Sequence, residues 1–155
     1  MFLWITLLNI FTGNVTEYRQ LYLKAVNNSN SADELVSTTK GSATALGTAY
    51  HAMGQALQAK HGWNPATKLS LAKSAAKGFD KAVGIDANDV EVRFLRFSFQ
   101  SKLPSVVSIT KHTGSDKSFI LKTIKSTHPL WGTIKPFMLD SELLTASEKA
   151  QIKAK

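Results

Sequence analysis

The side chains of this chain best suited to proton transfer or metal ligation near neutral pH are four histidines, at positions 51, 61, 112 and 128. None stands in an HxxxH, HExxH or Cys/His spacing, so no helical face offers two ligands together, and no metal site is expected. His51 falls beside Thr48 and Gln55 on the polar face of a helical pattern; a general base needs a positioned partner, and without one this histidine reads as surface. His61 and Trp63 flank a helix terminus, where they read as a cap and an apolar plug. The run Asp86-Ala87-Asn88-Asp89 places two carboxylates in a short loop, yet it lacks the EF-hand register and the distal bidentate glutamate that calcium requires. A turn that caps helix ends remains. Asp89 also precedes Arg93 by four positions, the spacing of an intrahelical ion pair worth a few tenths of a kcal/mol.

Cysteine is absent, which removes disulfides, thiolate metal sites and cysteine nucleophiles, and the glycine-rich phosphate loops and the GxSxG nucleophile turn are missing as well. No catalytic residue and no cofactor is therefore expected. Basic side chains are the remaining candidates. Lys73, Lys77 and Lys81 recur at every fourth position and form a stripe along one helical face, and Arg93 and Arg96 lie close together on the next helix. These five are the candidate contacts for an anion or a partner. With 19 Lys and Arg against 11 Asp and Glu, the net charge is +8, which favours anionic partners. Lys68, Lys122 and Lys125 could extend the lysine stripe into a patch. Specific nucleic-acid readout is not expected, because it needs a recognition helix or exposed aromatics interleaved with basic residues.

The elements that must position these groups are helical. Apolar residues recur at helical spacing, and the two-residue alternation of strands between hairpin turns is missing. One helix is expected over residues 16–26, and a second from Ala32, started by a capping box of Ser31 and Glu34. A third covers residues 42–60, where Ala45, Ala49, Ala52, Ala56 and Ala59 form a stripe that lets another helix approach closely. Asn64-Pro65 opens a fourth helix over residues 65–85, with Leu69, Ala72, Ala76, Phe79 and Val83 facing inward. A fifth, over residues 90–102, buries Val92, Phe94, Leu95, Phe97 and Phe99 and leaves Glu91, Arg93, Arg96 and Gln100 as a narrow polar edge. Ser115 is expected to cap a further helix that ends before His128-Pro129. Residues 130–139 read as loop or short turns, and Thr145 with Glu148 opens a short terminal helix that frays.

Phe79-Asp80-Lys81-Ala82-Val83, with Asp86 and Asp89, resembles the second half of a tetratricopeptide repeat, whose small and aromatic positions would fall on Ala75, Phe79 and Ala82. Leu46-Gly47 and Tyr50 resemble its first half. The resemblance implies one degenerate repeat with elongated helices. The order of features along the chain also resembles small exported helical proteins of Bacteroidetes-type bacteria. It comprises the apolar start, Tyr18-Arg19 with Tyr22, the helix pair, the stretch Glu91 to Arg96, Leu103-Pro104 and Asp116-Lys117.

The apolar run from Phe2 to Phe11 is ten residues long, too short to cross a bilayer of about 30 Å as a helix and suited to the hydrophobic core of an export signal. Residues 1–13 are accordingly expected to be a leader cleaved near residue 13, and residues 14–155 a single all-α domain. That domain is expected to be an antiparallel bundle of five to six helices with a tetratricopeptide-like pair. The expected location is periplasmic or secreted, without a transmembrane span in the mature chain. The expected function is non-catalytic: a binding or scaffolding module for a protein or an anionic envelope component. Attachment to an anionic surface, membrane or polysaccharide, and an enzyme with a site that no motif declares are the alternatives.

Overall fold

The structure is a computed structural model that describes the backbone of residues 3–155 and the side chains of residues 14–155. The leader expected at residues 1–13 lies outside the described side chains. All the described secondary structure is helical. The elements are α1 (Leu3–Ala25), α2 (Ser29–Thr39), α3 (Ala45–His61), α4 (Pro65–Ile85), α5 (Val90–Lys102), α6 (Thr113–Thr123), α7 (Trp131–Asp140) and α8 (Ala146–Lys153). No described helix is long and apolar enough to cross a membrane. The described residues thus form eight helices where five to six were expected.

Local chemistry explains most boundaries. Asn64 accepts a hydrogen bond from the Thr67 N–H and Pro65 occupies the first helical position, so α4 starts where its sequence signals place it. Asp89 accepts from the N–H groups of both Glu91 and Val92 and starts α5. At α8 the capping box is complete: the Thr145 hydroxyl accepts from the Glu148 N–H while the Glu148 carboxylate accepts from the Thr145 N–H. The start of α2 differs from expectation. Asn28, not Ser31, is its cap, accepting from the Ser31 N–H, and the helix begins at Ser29. Ser115 is likewise inside α6, where its hydroxyl donates back to the His112 carbonyl.

The largest departure is α7, which occupies the stretch expected to be loop. Pro136 lies inside it and cannot donate a backbone hydrogen bond. Tertiary burial overrides that loss, because Leu130, Ile134 and Met138 fall at intervals of four residues and are all buried. Nor does α8 fray: Ile152 is fully buried near the chain terminus.

Short connections return α2, α3 and α4 each against its predecessor, and α3 packs most extensively on α4 and then on α2. Small residues make both approaches close. A Cβ added at Gly78 of α4 would lie 2.9 Å from the Cβ of Ala52 on α3. One added at Gly54 of α3 would lie 2.7 Å from Val36 Cγ2 of α2. Ala45, Ala49, Ala52 and Ala59 of the alanine stripe are buried accordingly. α5 links the two parts of the molecule, packing against α3 and α4 on one side and α6 on the other. Its Phe94 and Phe97 meet the ring of Phe137 from α7 edge-on, at 5.5 and 6.2 Å between centroids.

Candidate functional site

α5 carries most of the ionisable chemistry of the interior. The sequence suggested a polar edge there, but Glu91, Arg96 and Gln100 are all buried, and each is matched by a partner from another part of the fold. Glu91, 2% exposed, accepts two hydrogen bonds from Arg19 of α1, at 3.0 Å from Nε to Oε1 and 2.7 Å from Nη2 to Oε2. The Tyr50 hydroxyl of α3 donates to Oε1 at 2.5 Å. His128, in the turn before α7, brings Nε2 to 3.4 Å from Oε2. The Nδ1 of that ring accepts from the Leu130 N–H at 3.1 Å, which places the ring proton on Nε2, facing the carboxylate.

Burial alone would raise the Glu91 pKa, but the donors from His128, Arg19 and Tyr50 outweigh it and hold the carboxyl at about 2. Burial, reinforced by the adjacent Glu91 charge, pushes the Tyr50 hydroxyl far above the ordinary tyrosine range. Tyr22, packed against Tyr50 at 6.0 Å between ring centroids, is pushed up to about 12, mainly by burial. A carboxylate so saturated with donors is a poor base. The cluster joins α1, α3, α5 and the turn before α7, so its chemistry is that of a clamp.

Arg93 and Arg96 form a second cluster on the α6 side of the same helix. Arg96 grips Asp116 in a fork, Nε to Oδ2 at 2.7 Å and Nη2 to Oδ1 at 2.8 Å, and its Nη1 donates to Asp80 of α4 at 3.0 Å. Arg93 adds a bond to Asp116 Oδ1 at 2.9 Å, donates to the Ala87 carbonyl and lies over the Phe119 ring. Asp116 is completely buried, so the anion that these two arginines hold is the protein's own. The pairing expected between Asp89 and Arg93 is replaced by this one, because Asp89 spends its carboxylate on the start of α5.

The three remaining histidines have structural partners, and His112 Nε2 lies 3.5 Å from Asp80 Oδ1. His51 Nδ1 lies 3.1 Å from the Val36 carbonyl and 3.2 Å from Thr39 Oγ1. His61 Nε2 donates to the Ala25 carbonyl at 2.7 Å. His61 and Asp33 share the rim of a shallow depression, but the Asp33 carboxylate accepts from Gln58 there. Among the described residues no group of three or more potential ligands is arranged to hold a metal ion.

A larger concavity lies elsewhere. A cleft of about 850 Å³ opens where residues 14–19 of α1, the 38–46 segment between α2 and α3, and the 86–89 turn meet. Its size is within the roughly 300–1,000 Å³ of small-ligand sites. Arg19 and Lys40 bring positive charge to it, Asp86 and Asp89 negative charge, and Thr38, Ser42 and Thr44 hydroxyl groups, with Val15, Ala45 and Leu46 as apolar wall. Helix capping and ion pairing hold these walls in place. The Thr44 hydroxyl accepts from the Gly47 N–H and lies 3.2 Å from Ser42 Oγ, Asp86 accepts from the Asn88 N–H, and Arg19 is held by Glu91. Gly41, with φ of 75°, makes the turn that the 38–46 segment needs.

Sequence reasoning did not find this cleft, since its residues come from three separated segments and none belongs to a motif. Lys73, Lys77 and Lys81, the expected stripe, are exposed on α4 and do not line it. Comparison with models of known protein families, with curated proteins and with solved structures gave no match.

Proposed function

We propose that this protein is a non-catalytic helical binding module that receives a short polar peptide segment in the cleft between α1, the α2–α3 connection and the α4–α5 turn. One observation carries the reading: the cleft offers preset charges of both signs together with hydroxyl groups, while the Glu91 and Asp116 carboxylates are saturated with donors from within the fold. An extended peptide suits such a lining, having donors and acceptors along its backbone and side chains of either charge. Internal hydrogen bonds and an ion pair hold its walls, which lowers the ordering cost of binding.

In this reading α3 and α4 serve as one degenerate tetratricopeptide-like pair, supported by the burial of Tyr50, Ala75, Phe79 and Ala82. The protein works outside the cytoplasm, a reading supported by the apolar run from Phe2 to Phe11. Intact mass and cell fractionation test the location: loss of the leader and recovery from the envelope or medium is the expected result, and a full-length cytosolic protein overturns it.

The binding reading is tested by titrating isotope-labelled protein with short synthetic peptides of mixed charge and following the backbone amides by NMR. Shifts confined to residues 14–19, 38–46 and 86–89, and abolished by Thr38→Trp in a protein with an unchanged fold, are expected. Absence of shifts, or shifts centred on another surface, overturns the assignment.

A further inference from the structure

We infer that the outer face of α4 docks on an anionic lipid surface, with Trp63 as its interfacial anchor. Trp63 was expected to plug the end of α3, but it is 89% exposed in the connection between α3 and α4. Leu69, expected to face inward, is 42% exposed, and every residue from Trp63 to Ser70 is exposed, so the start of α4 projects beyond the core. Single exposed apolar residues are ordinary, but a tryptophan bared this fully beside a basic helix face is a different arrangement.

The lysines supply the second half of the argument. Lys73, Lys77 and Lys81 run along the middle of the α4 face turned away from the core, spanning about 12 Å at 1.5 Å per residue. Ser74 stands between the first two lysines and Ser70 just before them, both exposed and too short to hold the lysines off a flat surface. Asp80 is the acidic residue of this helix, and its carboxylate is already engaged by Arg96 at 3.0 Å. Lys60 and Lys68, both exposed, flank Trp63 and add to the positive field.

A flat row of lysines beside a bare tryptophan is the chemistry of the lipid headgroup region, where the indole ring sits at the interface and lysine ammonium groups meet anionic headgroups. The row lacks arginine, whose bidentate geometry base or phosphate recognition in a nucleic-acid groove exploits, and its three lysines line neither the cleft nor the shallow depression beside His61. None of these residues lines the cleft, so docking would leave the proposed peptide site open.

The test is co-sedimentation of the full chain with vesicles of phosphatidylserine and phosphatidylcholine, set against vesicles of phosphatidylcholine alone. Binding to the former only is expected, weakening steeply as salt shortens the Debye length from about 10 Å at 0.1 M to about 3 Å at 1 M. Affinity should fall about fivefold for each lysine removed and roughly a hundredfold in the triple variant K73Q/K77Q/K81Q. In a Trp4→Phe background the tryptophan emission should shift to the blue on binding, and Trp63→Phe should abolish that shift while leaving the circular dichroism spectrum intact. Three results overturn the inference: no binding to the anionic vesicles at low salt, binding that the triple variant leaves unchanged, or an emission shift that survives Trp63→Phe. Lysine-dependent binding to duplex DNA or an acidic peptide that exceeds binding to the vesicles would assign the face to that partner instead and equally overturn it.

Discussion

Replacing Glu91 with glutamine tests whether the buried clamp is a major source of cohesion between the helices. The carboxyl is held at about 2 in the folded protein against an ordinary value of 4.5. Lowering the carboxyl from 4.5 to about 2 corresponds to roughly 3 kcal/mol of stability from the ionised form. Because the folded value is the lower one, the unfolded chain takes up the proton first. The contribution is complete above pH 4.5, declines as the pH falls, and is gone below about 2. Glutamine preserves the shape but not the charge, and its amide must point a donor toward Arg19, Tyr50 or His128, each of which already donates. The expected loss at pH 7 is therefore about 3 kcal/mol, or roughly 6–12 °C in melting temperature for a chain of this length. Urea unfolding of the two proteins, followed by circular dichroism from pH 7 to pH 2.5, is the assay. Their difference should be constant down to about pH 4.5 and then shrink as the native carboxylate loses its advantage. A difference below about 1 kcal/mol at pH 7, or one that stays flat across the acid range, would refute the account of Glu91 as an ionised, donor-saturated clamp.

Two further substitutions probe the same logic elsewhere. Asp116→Ala strands the buried Arg96 guanidinium and should cost about 3–5 kcal/mol, whereas Asp80→Ala, removing a half-exposed partner of the same arginine, should cost less than about 1 kcal/mol; urea midpoints compare them. Gly54→Ala drives a methyl to 2.7 Å from Val36 Cγ2 and 3.2 Å from Val36 N, so overpacking of about 1–3 kcal/mol should outweigh the gain of about 1 kcal/mol in helix propensity. Gly84→Ala, with nothing within 4 Å of the new methyl, should keep that gain and raise the melting temperature.

The all-α architecture and the bounds of α4 and α5 were legible because the signals that set them are local. Asn64 and Asp89 satisfy N–H groups within their own first turns, and Pro65 suits the first helical position wherever the chain goes. The alanine stripe of α3 was legible for a similar reason, since helical periodicity alone brings small residues to one side. α7 was not. Gly132 and Pro136 are breakers by local preference, and only the burial of Leu130, Ile134 and Met138 against the rest of the molecule makes that stretch helical. Leu69 was misplaced because periodicity says which residues share a face without saying whether a neighbouring helix extends far enough to cover it, and Trp63 because a position at a helix end does not say whether anything packs over it.

The polar residues divide along the same line. The sequence by itself determined an all-helical chain with a strong positive charge, a regular lysine stripe, and no thiol chemistry. It also determined that α5 would combine large aromatics with Glu91, Arg93 and Arg96, because these residue types and intervals are properties of the chain alone. The tertiary structure decided what the charges do. Glu91 meets Arg19 across 72 positions and Tyr50 across 41, and Arg96 meets Asp116 across 20. Spacing rules extend only about one helical turn, so nothing in them could pair such residues. The cleft likewise exists only because three distant segments converge. Burial then turned what looked like a solvated polar edge into two clamps and left the lysines of α4 in water, since a charge taken out of water is tolerated only where a partner replaces the water.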